Sequence, residues 1–134
     1  MYGECGVSDS NPRAVYNCKY RGEAKPLEAN ASSFLRDLCP HLYLGEKETK
    51  TCCDYAQLIR LNDGMSLPKQ IMSRCPACFR NFKAFLCDMT CGTNQADFLL
   101  VTKEKNDEKF GTEVTEYTYH ITNNYTQNLF DSCK

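Results

Sequence analysis

The sequence predicts an α+β fold: a disulfide-rich, mostly helical domain with a small antiparallel sheet. Three observations carry that prediction. Ten cysteines are spread through 134 residues, and an oxidising compartment turns so many thiols into cross-links. Apolar residues recur at helical spacing in mid-chain, as at Phe79, Phe82 and Leu86. Near the end, two runs rich in β-branched and aromatic residues flank a charged turn. The length suits one domain, residues 1–134. Hydrophobic content of 42% and charged content of 25% mark a folding chain. A net charge of −1, with acids and bases mixed, argues against a nucleic-acid partner and against an anionic membrane surface.

The elements are expected in this order. Residues 1–29 read as loop, with turn signals at Asn11-Pro12, Arg21-Gly22 and Lys25-Pro26. Ser32 or Ser33 caps a short helix with Phe34, Leu35 and Leu38 inward, ending near Cys39-Pro40. After a short apolar patch (Leu42 to Leu44) and a polar loop, Cys52-Cys53-Asp54 opens a second helix that Asn62-Asp63-Gly64 ends. Ser66 caps a third helix, with Ile71 and Met72 inside. Pro76 suits the first turn of a fourth, on which Cys87 and Cys91 share a face. Phe98 to Val101 and Val114 to Ile121 read as strands of a hairpin across the charged turn Lys103 to Gly111. Thr122 or Asn123 begins a last helix that ends near Cys133.

The stretch Ser73 to Cys91 carries four cysteines, Cys75, Cys78, Cys87 and Cys91. A structural zinc site needs four converging ligands, often two C-x-x-C knuckles. Here the second pair is C-x-x-x-C, and His41 and His120 are far off in sequence. A redox dithiol at Cys75 and Cys78 would need a preceding strand in a βαβ unit, and the preceding residues read as helix. A disulfide framework accounts for all ten cysteines, although ten allow roughly a thousand pairings and spacing does not choose among them. The sequons Asn30-Ala-Ser and Asn124-Tyr-Thr agree with a secretory route and mark Asn30 and Asn124 as glycosylation sites. Met1 to Cys5 lacks the basic and apolar regions of a signal peptide. The chain is therefore expected to be a processed or excised piece. No Ser/His/Asp set, paired carboxylates, phosphate loop or metal triad suggests an enzyme. Asp54, Asp63 and Asp88 read as helix-end residues.

Several motifs occur together: Tyr2-Gly3-Glu4-Cys5-Gly6, Tyr16-Asn17-Cys18, Leu38-Cys39-Pro40, Cys52-Cys53-Asp54-x-x-Gln57-Leu58, Leu67-Pro68, Ser73-Arg74-Cys75-Pro76-x-Cys78-Phe79 and Leu86-Cys87-Asp88-x-Thr90-Cys91. In this order and spacing they resemble the N-terminal lumenal domain of the Niemann-Pick type C cholesterol transporter family, from Tyr2 to about Cys133. The resemblance implies a domain distantly like folate- and riboflavin-binding proteins, with a sterol pocket. It implies loading by a soluble lumenal sterol carrier protein, transfer toward the membrane, and a parent membrane transporter. It implies no cofactor, and a place in the endosome or lysosome lumen or on the extracellular face. It also implies the pairs Cys5–Cys18, Cys39–Cys87, Cys53–Cys91 and Cys78–Cys133. Cys52 and Cys75 are then left with partners outside this stretch, as in the first part of a larger sterol-binding domain. Met1 stands where the family has an aromatic residue.

A sterol offers one hydroxyl and a large apolar body, so its pocket needs a polar end and apolar walls. The resemblance places Asn17 and Gln57 at the polar end, with Glu4 third, acting through a water. An amide both donates and accepts, which suits a hydroxyl. Read alone, Asn17 is a turn cap, Gln57 a solvated helix residue and Glu4 a loop acid. Leu61, Phe79, Phe82 and Leu86 are nominated as walls, although such a stripe is usually core. Tyr117 and Tyr119 are a further candidate face. Arg60 and Lys83 depart from the family in being charged beside the pocket, and their long stems allow the charges to snorkel out. The alternative function is a secreted carrier of folate or riboflavin type, disfavoured by the lack of Trp. An oxidoreductase using Cys75 and Cys78 is the enzymatic alternative.

Overall fold

A computed structural model describes residues 1–134. In chain order it contains β1 (Glu4–Val7), β2 (Val15–Asn17), β3 (Lys25–Pro26), α1 (Ala29–Leu38), β4 (Lys50–Thr51), α2 (Tyr55–Gly64), α3 (Ser66–Ile71), α4 (Pro76–Cys91), β5 (Leu99–Asp107), β6 (Gly111–Tyr119) and α5 (Asn123–Asp131). Short 3-10 turns occupy Pro40–Leu42 and Gln95–Asp97. The strands form three two-stranded antiparallel ladders, β1–β2, β3–β4 and β5–β6. The α+β, disulfide-rich class is as expected.

α4 is the hub. Cys87 and Cys91, one turn apart on the same face, are fully buried. Cys39, at the end of α1, bonds to Cys87, and Cys53, just before α2, bonds to Cys91. Near the N-terminus of α4, Cys78 bonds to Cys133 beyond α5. Around these links lies a core of Ala31, Leu35, Leu38, Leu58 and Met65, with Phe34, Leu61, Phe79, Phe82 and Leu86 packed against it. Only 22 of 134 residues are buried, so the cross-links supply stability that so small a core cannot.

Four local expectations are corrected. The first 29 residues are not all loop: β1 pairs with β2 in the register Glu4↔Asn17, Gly6↔Tyr16 and Val7↔Val15, and Cys5–Cys18 staples that ladder. The turn signals were genuine but concealed short strands. Helix α1 starts earlier, with Glu28 as its N-cap, so Ser32 lies buried inside it and Ser33 exposed. Ser66 is the first residue of α3 rather than its cap, and Ile71 faces out at 71% exposure. That helix has only six residues, too few for an apolar stripe to specify one buried face.

The charged segment after Val101 is strand as well. β5 and β6 continue to Asp107↔Gly111 because their charges complement across the ladder: Lys103 pairs with Glu116 at 3.0 Å. The turn closes on Gly111, whose φ of 93° lies in the left-handed region. The two hairpins join through the Cys18↔Glu113 bridge and the Lys19 N–H to Thr112 O bond.

Candidate functional site

The site is built where the β1–β2 hairpin meets the start of α2. Asp54 is the N-cap of α2, and its carboxylate accepts the Gln57 N–H at 2.9 Å. The Gln57 side chain returns the contact, its Oε1 accepting the Asp54 N–H at 3.0 Å. The same oxygen accepts the Gly3 N–H at 2.7 Å. Gly3 holds φ at 80°, a conformation that other residues resist, just before β1. Gln57 is buried at 4% exposure with its amide anchored by two main-chain donors. Its Nε2 then donates to Asn17 Oδ1 at 3.1 Å, at the end of β2. Asn17 Nδ2 makes only a long contact, 3.9 Å to Met1 Sδ.

Glu4 lies opposite Asn17 in the ladder, so their side chains share a face. It does not reach the amides. Arg60, one turn beyond Gln57, holds it through Nε at 2.6 Å and Nη2 at 3.5 Å, and also donates to Arg13 O at 3.4 Å. The pair edges an open groove of about 1040 Å³ that includes Val15 and Ile59.

The apolar nominees stand apart from this polar group. Leu61 is one turn on from Gln57 and packs on the core, as do Phe79, Phe82 and Leu86. Phe79 also lines a recess of about 270 Å³ with Phe34, Leu38 and Met65, and Lys83 reaches over the Phe79 ring at 6.0 Å. Glu4 and Arg60 therefore border one recess and Phe79 another, while Asn17, Gln57, Leu61, Phe82 and Leu86 line neither. Tyr117 is exposed. Tyr119 packs edge-on against Phe85 and Phe98, at 5.3 and 4.9 Å, around a third recess of about 310 Å³. Burial, and then the nearby Asp88 carboxylate, push the Tyr119 phenol up to about 12.

Cys52 and Cys75 carry no disulfide within the chain. Cys52 is buried, which pushes its thiol up, while the nearby Met1 ammonium acts the other way. Cys75 Sγ lies 3.4 Å from Ser132 O. No group of three or more His, Cys, Asp or Glu converges as a metal site would require, and no helix is long and apolar enough to cross a membrane. One participant was missed in the sequence, Gly3, and Arg60, expected beside the pocket with its charge turned out, instead pairs with Glu4. The Asp54-x-x-Gln57 spacing was a visible capping-box signal for the anchoring of Gln57. Nothing local announced that Arg60 would reach Glu4.

A family model described as Niemann-Pick C1 N terminus matches residues 1–134. The chain is 35% identical over 138 residues to the NPC intracellular cholesterol transporter 1 of Sus scrofa, covering 99% of this chain and 10% of that protein. It is 29% identical over 139 residues to the NPC1-like intracellular cholesterol transporter 1 of Mus musculus, with the same coverage of 99% and 10%. It is 34% identical over 118 residues to the NPC intracellular cholesterol transporter 1 homolog 1b of Drosophila melanogaster, covering 82% of this chain and 9% of that protein. The chain thus spans about a tenth of the length of these relatives.

Proposed function

The chain belongs to the family described as Niemann-Pick C1 N terminus, and we propose from that membership that it binds a sterol such as cholesterol and takes part in its transfer toward a membrane. The observation that carries this reading is the Gln57–Asn17 amide pair, held in one orientation by main-chain donors and ending in Asn17 Nδ2. A sterol hydroxyl left unpaired on burial costs about 1–3 kcal/mol, so a preset donor is what such a site needs. Leu61, Phe79, Phe82 and Leu86 are proposed as apolar wall, and Glu4 as the third polar group. Action is by binding and release, without covalent chemistry. Photoreactive cholesterol should label the natural protein, and Asn17→Ala with Gln57→Ala should weaken labelling. Unchanged labelling in the double variant rejects the assigned polar end.

The same reading makes residues 1–134 the N-terminal part of a larger sterol-binding domain of a membrane transporter, placed in the endosome or lysosome lumen or on the extracellular face. A soluble lumenal sterol carrier protein is the proposed donor of ligand. Cys52 and Cys75 are proposed to pair with cysteines outside residues 1–134, and Asn30 and Asn124, both exposed, to carry glycans.

A further inference from the structure

Four aromatic rings meet on the side of α4 where the β5–β6 hairpin and α5 pack. Phe85 lies on α4, Phe98 just before β5, Tyr119 at the end of β6 and Tyr125 in the first turn of α5. The cap of α5, Thr122 Oγ1, accepts the Tyr125 N–H at 3.2 Å and fixes that turn. All four rings line one recess of about 310 Å³. Phe85–Tyr119, Phe98–Tyr119 and Phe85–Tyr125 have centroids 5.3, 4.9 and 6.1 Å apart and planes inclined at 86°, 63° and 38°. Rings set at such angles form the walls of a corner, not a flat patch. Tyr125 is 40% exposed, so the corner opens to solvent.

Asp88, one turn after Phe85 on the same helix, lines the recess too. His41 Nε2 lies 2.8 Å from its Oδ1 and steadies the carboxylate. The carboxylate charge reaches the rings: after burial, Asp88 is the next cause that pushes both the Tyr119 and the Tyr125 phenols up. The other two recesses differ. The groove at Glu4 and Arg60 has no aromatic lining, and the recess at Phe79 carries Lys69 and Lys83. Neither lysine nor arginine lines the recess at Asp88, and the nearby His41 and His120 are of a type that is neutral in alkaline buffer.

An aromatic ring is electronegative on its faces, so several rings beside one carboxylate favour a cation. The class of cation follows from hydration. A metal ion needs several oxygen ligands, and no such group converges here. A bare ammonium holds water that rings cannot replace, whereas a methylated ammonium is clothed in carbon and packs on them. We propose that Phe85, Phe98, Tyr119, Tyr125 and Asp88 form a binding site for a quaternary ammonium group, of the choline type. The site is separate from the Asn17–Gln57 polar end and stands independently of the sterol reading.

The test is equilibrium binding of labelled choline to the natural full-length protein at about pH 8, in a detergent that lacks any ammonium group. Unlabelled choline should displace the label at about tenfold lower concentration than its neutral isostere, a dimethylbutanol in which carbon replaces nitrogen. Asp88→Asn, which keeps the side-chain shape, should weaken binding about tenfold. Tyr125→Leu should weaken it about fivefold, while Tyr125→Phe, which keeps the ring, should bind as the wild type does. Phosphocholine as competitor distinguishes the sources: displacement extends the site to lipid headgroups, failure restricts it to free amines, and either supports the cage. The proposal is overturned if choline does not bind, if the isostere competes equally well, or if Asp88→Asn and Tyr125→Leu both bind as the wild type does. Retained cholesterol labelling in these variants shows that they are folded.

Discussion

Gln57 and Asn17, 40 residues apart, meet through a single 3.1 Å hydrogen bond that joins α2 to the N-terminal hairpin. Gln57 has a structural role beside the binding role proposed for it; Asn17 has little structural role beside its proposed one. Gln57 is buried and satisfies the Gly3 and Asp54 N–H groups, whereas Asn17 is half-buried and satisfies only Gln57.

Gln57→Ala should therefore destabilise the fold by about 1–3 kcal/mol, because it strands two main-chain donors. Asn17→Ala should cost less than about 1 kcal/mol of stability, yet weaken sterol labelling about tenfold. Urea denaturation beside photolabelling separates the two. Equal stability losses would show that Asn17 is chiefly structural.

The disulfides should rank by the loops they close. Cys39–Cys87 spans 48 residues and Cys5–Cys18 spans 13, so chain entropy assigns them about 4 and about 3 kcal/mol. Replacing each pair by alanines and comparing denaturation midpoints tests this. The gap should widen beyond the entropic difference, because Cys39 and Cys87 are fully buried and their loss also opens the core.

Ser32 is buried at 4% inside α1, and its hydroxyl has no hydrogen-bond partner. Ser32→Ala should stabilise the domain by about 1 kcal/mol, since it removes an unsatisfied polar atom and improves helix propensity. It should also abolish the glycan proposed at Asn30, because Ser32 completes that sequon. A lowered melting temperature in unglycosylated Ser32→Ala protein would contradict this account of the site.

Alkaline titration should show Tyr119 as a late phenol, with Tyr2 and Tyr125 also pushed up by burial. Tyr119 is pushed up to about 12, first by burial and then by Asp88. Raised above its unfolded value near 10, it contributes stability that is intact below pH 10 and lost as pH climbs through 12. Absorbance at the tyrosinate band should reveal this component, and Asp88→Asn should move it down part of the way. A single titration near 10 for every tyrosine would refute the packed environment of Tyr119.

Cys52 and Cys75 should appear in non-reducing peptide maps of the natural protein joined to peptides from outside residues 1–134. A bond between these two would refute the proposed frame.

Some of this protein was legible in one dimension. The helical stripe at Phe79, Phe82 and Leu86, the Pro76 start, the Asp54 cap and the ten cysteines are local signals, since period, capping chemistry and composition act within a few residues. They determined the class, the central helices and the need for cross-links. The short strands at Glu4 and Val15 were hidden because three or four residues carry too little pattern, and because their pairing comes from a ladder and the Cys5–Cys18 link. The union of Gly3, Asn17, Gln57, Glu4 and Arg60 belongs to the tertiary structure alone. Hydrogen bonds between residues 40 to 56 positions apart depend on where separate elements dock, and that docking is decided by packing on the shared core, not by any neighbour in the chain.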